Sequence, residues 1–118
     1  MPCVSVSQDC LFCRIVAGDL PADVIRESER TLAFRDINPQ APVHVLVVTR
    51  DHHADVATLA ADDPGALAEL VREARVVAQA EGSDHYRLVF NTGSHAGQSV
   101  FHVHGHVLGG RDMHWPPG

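Results

Sequence analysis

Seven residues near the C-terminus, His102-Val103-His104-Gly105-His106-Val107-Leu108, constrain the fold of this chain more than any other stretch. Side chains alternate across a β-strand. This order therefore predicts a strand with His102, His104 and His106 on one face and with Val103 and Val107 turned into a core on the other. A single histidine can be a satisfied interior side chain. Three on one face all need partners for their ring nitrogens, and each buried polar group left unpaired costs about 1–3 kcal/mol. The pattern therefore points to a site. Two chemistries fit it: a metal site, since His-x-His presents two ligands to one ion, and nucleophilic catalysis by one imidazole with its neighbours as acid, base and orienter. Just upstream, Gly93, Gly97, Gln98 and Ser99 bring backbone N–H groups and a hydroxyl that suit a phosphate. A metal site more often brings carboxylates, and none is close by in sequence.

The remaining pattern predicts an α+β fold with a five-stranded antiparallel sheet, one long helix and a short N-terminal helix. Residues 1–8 read as a loose arm, residues 9–118 as a single domain, and 109–118 as its C-terminal tail. Asp9 is a candidate N-cap for a short helix carrying Leu11, Phe12, Ile15 and Val16, ended by Gly18 and Pro21. Val24-Ile25 and Thr31 to Phe34 flank a charged turn and read as a hairpin, and Val43 to Thr49 suits a central strand. Asp62-Asp63-Pro64-Gly65 opens the long helix, with Leu67, Leu70, Val71, Ala74, Val77 and Ala78 on one face, and Gly82 stops it. Tyr86 to Asn91 and Ser99 to Leu108 are the last two strands, joined by a glycine-containing loop. In the last strand Gly105 is expected to leave a gap in the packing, or to mark a close approach by another backbone.

Charge and composition exclude several classes. The 118 residues carry 9 basic and 15 acidic side chains, a net charge of −6, and every basic residue is Arg. That offers no basic stripe for nucleic acid. The longest apolar runs, such as Val45 to Val48, are far too short to span a membrane. No signal peptide is visible, which suggests a cytoplasmic protein. The three cysteines, an odd count, argue against a disulfide framework, and Cys3 has no assigned role. Cys10-Leu11-Phe12-Cys13 is compatible with a zinc half-site, a redox pair or two core thiols, although the thioredoxin-like context of a redox pair is missing.

From Asn91-Thr92-Gly93 through Gly97-Gln98-Ser99-Val100-Phe101-His102-Val103-His104-Gly105-His106-Val107-Leu108-Gly109-Gly110-Arg111, the chain resembles the signature of the histidine triad superfamily. Its tail, Met113-His114-Trp115-Pro116-Pro117-Gly118, resembles the Hint branch of nucleotide-binding proteins. Leu11-Phe12, Ile15, Leu20-Pro21, Ala33-Phe34, Asp36-Ile37, Pro39-Gln40-Ala41-Pro42 and His44 extend the likeness over about residues 9 to 118. The resemblance implies a purine nucleoside phosphoramidase that hydrolyses P–N bonds through a nucleotidyl-histidine. The alternatives are a dinucleoside polyphosphate hydrolase, a non-catalytic nucleotide-binding module, or a zinc hydrolase that uses the triad itself as ligands. The third triad position is His106, where transferases of the superfamily carry Gln, which disfavours nucleotidyl transfer.

Carried over by position, the resemblance makes His104 the nucleophile, His102 the residue whose carbonyl orients it, and His106 a donor to the phosphoryl oxygens. Ser99 is the hydroxyl near phosphate and leaving group, and His44 an outer histidine behind the nucleophile. Asn91, Gly97 and Gln98 correspond to phosphate or ribose contacts, and Asp36 to the acceptor of ribose hydroxyls. Leu11, Phe12, Ile15, Leu20 and Ile37 correspond to the purine slot, and Trp115 to a tail residue reaching a partner's site in a homodimer. Pattern alone reads Phe12, Ile15 and Leu20 as plain core and Asp36 as a turn residue. The resemblance also implies structural zinc on Cys10, Cys13, His52 and His102, with His53 as the substitute for His52.

Overall fold

A computed structural model describes residues 10–118; the expected arm and Asp9 lie outside them. Five strands form one antiparallel sheet in the order β1-β2-β3-β5-β4. They are β1 (Val24–Glu27), β2 (Thr31–Arg35), β3 (Val43–Thr49), β4 (Tyr86–Val89) and β5 (His104–Gly109). The helices are α1 (Leu11–Val16), α2 (Val56–Asp62) and α3 (Pro64–Ala80), with a short 3-10 turn at Ser94–Ala96.

The central strand β3 is buried along its whole length, which explains its continuous apolar and β-branched composition. Its odd positions, Val43, Val45 and Val47, join Ala33 and Val107 under Leu70, Ala74 and Val77 of α3. Its even positions, Leu46 and Val48, join Leu32, Phe34 and Phe12 of α1 on the opposite face. The sheet thus carries its long helix on one side. On the other side the short α1 covers it incompletely and leaves a cleft open.

Local chemistry sets the helix boundaries. Asp63 accepts from the N–H of Ala66 and caps α3, with Pro64 in its first turn. Asp55 caps α2 in the same way through the N–H of Thr58. The sequence pattern did not reveal α2, because Leu59 is its only buried residue and no apolar stripe marks it. At α1 the N-cap is Cys10, whose Sγ accepts from the N–H of Cys13 at 3.3 Å, and not the expected Asp9. The strand expected over Tyr86 to Asn91 ends at Val89.

Two further expectations are corrected on β5. The strand starts at His104, not at Ser99, so His102 lies before it. There the chain is anchored otherwise: the N–H of Val103 donates to the His53 carbonyl at 2.7 Å. Val103 is still buried in the α3-side core, so the alternation of faces continues beyond the ladder. At Gly105 there is no gap. A Cβ built on it would lie 2.8 Å from Leu88 Cδ1, 3.2 Å from Phe90 Cζ and 3.3 Å from Leu70 Cδ2. Side chains, not a neighbouring backbone, fill the space.

Candidate active site

Register on the cleft face of the sheet assembles the histidines. His104 pairs with Val48 and His106 with Leu46 across β3–β5, while His44 pairs with Leu108 and so lies diagonal to His106. The His104 and His106 rings are 5.0 Å apart, and the edge of Phe12 meets the His104 ring at 4.9 Å. His102 is fully buried, and His104 nearly so.

Hydrogen bonds fix which nitrogen of each ring is available. His104 Nδ1 donates to the backbone carbonyl of His102 at 2.7 Å, which leaves Nε2 with its lone pair in the cleft that His104 lines. The Gln40 N–H donates to His44 Nδ1 at 2.9 Å, so the proton of a neutral His44 sits on Nε2, 3.0 Å from His106 Nδ1. His44 therefore stands behind His106, not behind His104 as expected. Asp36 Oδ2 lies 3.4 Å from the same His44 Nε2. The carboxylate missing near the triad in sequence is thus supplied from the end of β2. Burial lowers the affinity of His104 and His44 for a proton below the ordinary imidazole value, with Asp36 opposing the effect at both. At His106, burial and the neighbouring His104 and His44 push the pKa down to about 4. All three rings are neutral near pH 7.

His104 and His106 form one wall of a cleft of about 490 Å³, with His44 behind His106. Leu11, Phe12, Ile15, Leu20, Asp36, Ile37 and Ser99 line it, as do Pro21, Ala22, Phe34, Arg35, Leu46 and Val100, to which the sequence reading gave no site role. Parity along the strands was the available signal: Leu46 shares its face with His44 on β3, and Phe34 lies two residues before Asp36. Phe12 belongs to both the core and the cleft, so its two readings coexist.

Four of the predicted nucleotide contacts fall outside these walls. The Gln98 amide accepts from the Gly93 N–H at 2.9 Å and donates to the carbonyls of Ala54 at 2.7 Å and Val100 at 3.1 Å. Its own N–H donates to the Gly93 carbonyl, so Gln98 braces the loop with its side-chain amide and its backbone N–H. The Gly97 N–H is likewise taken by the Ser94 carbonyl, and Gly97 closes that turn at φ +98°, a conformation suited to glycine. Asn91 sits beside Gly97. Trp115 is 82% exposed on the tail.

Behind the cleft, Cys10, Cys13, His52 and His102 converge into a candidate metal site. Both sulfurs lie 3.4–3.5 Å from Nδ1 of both histidines. Bond lengths of about 2.3 Å to sulfur and about 2.05 Å to nitrogen in a tetrahedron give S···N edges of about 3.6 Å, so the four atoms fit a single ion. His102 Nε2 donates to the Thr49 carbonyl at 2.7 Å, the outer bond that frees Nδ1 to be a ligand. His52, not His53, belongs to this set; the His53 ring lies 3.9 Å from Asp62.

Comparison with known proteins agrees with this architecture. The model of the HIT domain matches residues 17–113. This chain belongs to the HIT family. A HIT family hydrolase from Legionella pneumophila is 50% identical, with a TM-score of 0.88 over 93% of this chain and 100% of its own. A 14 kDa zinc-binding protein of Zea mays is 45% identical over 92% of this chain and 87% of its own length. A zinc-bound histidine triad protein from Mycobacterium smegmatis is 32% identical, with a TM-score of 0.79 over 93% and 80% of the two chains. Within this HIT fold the long run from Ser99 to Leu108 does three things. It places Ser99 in the cleft, gives His102 to the candidate metal set and lines the cleft with His104 and His106. Among the described residues no helix is long and apolar enough to cross a membrane.

Proposed function

We propose that this HIT protein is a nucleotide hydrolase of the Hint branch that cleaves the P–N bond of purine nucleoside 5′-phosphoramidates. The observation that carries this reading is the bond from His104 Nδ1 to the His102 carbonyl, which leaves Nε2 as a neutral nucleophile facing the cleft. The purine lies in the apolar slot of Leu11, Phe12, Ile15, Leu20 and Ile37, and the ribose hydroxyls donate to Asp36. His104 Nε2 attacks the α-phosphorus, the P–N bond breaks with its electron pair passing to nitrogen, and the nitrogen takes a proton from water, so that the amine departs and hydroxide is left to be neutralised by solvent. The imidazolium so formed keeps its Nδ1–H on the His102 carbonyl, which stabilises the charge. His106 Nε2–H donates to a phosphoryl oxygen, and Ser99 stands by the leaving nitrogen. Water then attacks the nucleotidyl-histidine and returns His104.

Zinc fits the Cys10, Cys13, His52 and His102 set, where it would supply structure and hold the segment whose carbonyl orients His104. The names of the maize and mycobacterial relatives support that identity. The reduced thiols of such a site suit the cytoplasm. The exposed Trp115 and the position of β4 at the sheet's edge among the described residues support a homodimer, in which the tail reaches the partner's cleft.

The test is hydrolysis of adenosine 5′-phosphoramidate by the protein and by His104→Asn, with and without a chelator. The reading requires turnover that survives a brief chelator treatment and is lost on substitution. AMP binding without turnover would instead identify a binding module. A monomer's mass across micromolar concentrations would remove the dimer.

A further inference from the structure

Two imidazole clusters lie on the cleft side of the sheet, and their outer hydrogen bonds have opposite polarity. At His102 the ring donates outward to the Thr49 carbonyl, so its inner nitrogen is free for an ion. At His44 the outer group is itself a donor, the Gln40 N–H, so Nδ1 accepts and the single ring proton is held on Nε2. A second proton on Nδ1 would face that N–H, which keeps the ring neutral. An ion on Nε2 would have to displace the only proton. The Asp36, His44 and His106 cluster is therefore built to share a proton, although its atoms lie close enough to bind a metal.

That proton has two acceptors within reach. His106 Nδ1 is 3.0 Å away and Asp36 Oδ2 is 3.4 Å away. The other oxygen of Asp36 accepts from the Asn38 N–H at 2.8 Å, which holds the carboxylate in place. When His44 donates to His106, the His106 proton must sit on Nε2, where it donates into the cleft. When His44 donates to Asp36, its N–H turns off the line to His106, and a small shift of the His106 ring away from that N–H lets His106 carry its proton on Nδ1 instead. It then turns a lone pair toward the cleft, which repels a phosphoryl oxygen.

We propose that Asp36 and His106 compete for the proton of His44, and that a ligand diol donating to Asp36 settles the competition in favour of His106. Asp36 is thus a positioning residue, and the sugar hydroxyls act on the rate as well as on affinity. The change conserves charge: one proton leaves His106 Nδ1, one arrives on Nε2, and water carries the exchange. The proposal rests on the nucleotide reading above.

The test uses the ¹⁵N-labelled protein, with the His106 tautomer read from long-range ¹⁵N–¹H spectra. The probes are adenosine and 2′,3′-dideoxyadenosine, which share the base and carry no phosphate. At equal occupancy adenosine should raise the Nε2–H fraction of His106, and the dideoxynucleoside should not. In Asp36→Asn both nucleosides should give the same high fraction. In kinetics, loss of the two hydroxyls from the phosphoramidate substrate should lower kcat on the order of tenfold, less than loss of a whole oxyanion donor costs. That difference in kcat should vanish in Asp36→Asn, while KM still differs. Bound adenosine with an unchanged tautomer, or discrimination confined to KM, overturns the coupling and leaves the nucleotide reading standing. No binding of adenosine at millimolar concentration overturns both.

Discussion

His104 Nδ1 lies 2.7 Å from the carbonyl oxygen of His102, two residues earlier in the same chain, and this bond determines which nitrogen the cleft receives. A local backbone group sets the tautomer, so the nitrogen that faces the cleft depends on the path of the segment before β5. His104→Asn keeps a side chain that can donate to that carbonyl but removes the nucleophile proposed above. It is expected to lower kcat by at least about 10³-fold, in keeping with the loss of a nucleophile, with little change in the denaturation midpoint. Residual turnover within tenfold of the unsubstituted protein would mean that another group attacks phosphorus.

The same segment meets the metal set one ring earlier. In the proposed zinc form, removal of the ion leaves two thiols and two imidazoles converging with no cation between them. Cys13, nearly fully buried, cannot turn to solvent. Cys13→Ser is expected to release about one zinc per chain, measured by inductively coupled plasma mass spectrometry. It is also expected to lower Tm on the order of 10 °C, the size of effect for a loss of about 2 kcal/mol in a small domain. Turnover should fall as well, because the His102 carbonyl is then no longer held. Full stability of metal-free refolded protein would show that the site contributes nothing to the fold.

Much of this arrangement was legible before the fold was known, for identifiable reasons. β3 was read with its observed bounds because burial on both faces imposes one long β-branched run. The start of α3 was read from Asp63 and Pro64, a cap and first turn that act locally. The histidine alternation located the site, yet it assigned His102 to a strand it does not join. Period-two pattern reports side-chain facing, not whether backbone groups find a partner strand, and there the partner is the His53 carbonyl. The relations that organise the site, Asp36 beside His44 and His44 beside His106, join positions remote in sequence. Only the β2–β3–β5 register brings them together. The bonds that tie Gln98 into its loop were hidden for a related reason. A polar residue in a glycine-containing loop looks available to a ligand until its partners across the loop are known.

Gly105 illustrates how core shape is distributed over three elements. Leu88 of β4, Phe90 beyond it and Leu70 of α3 occupy the volume that a side chain there would need. Gly105→Leu is expected to cost about 1–3 kcal/mol through overpacking, read as a lower urea midpoint with an unchanged m-value. Because Leu88 Cδ1 makes the nearest approach, Leu88→Ala combined with Gly105→Leu should recover part of the loss. Additive losses in the double variant would place the conflict elsewhere.

The neutral rings set the response to pH. His106 is held down to about 4 by burial and by the neighbouring His104 and His44, and burial lowers His104 as well. In the unfolded chain these imidazoles titrate near their ordinary value of about 6.5. Between about pH 6.5 and 4 the unfolded state therefore binds more protons than the folded state, and stability rises with pH across that window. The contribution is complete above pH 6.5 and is lost as pH falls toward 4. Urea midpoints should decline from pH 6.5 to 5, before the carboxylates titrate, and His106→Asn should flatten part of that slope. The same shift governs activity. With His104 neutral below the usual imidazole range, the acid limb of kcat/KM should lie below pH 6.5 once uncatalysed hydrolysis is subtracted. An acid limb at or above 6.5 would mean that the nucleophile is as exposed to solvent as a free imidazole, contrary to its burial beneath Phe12.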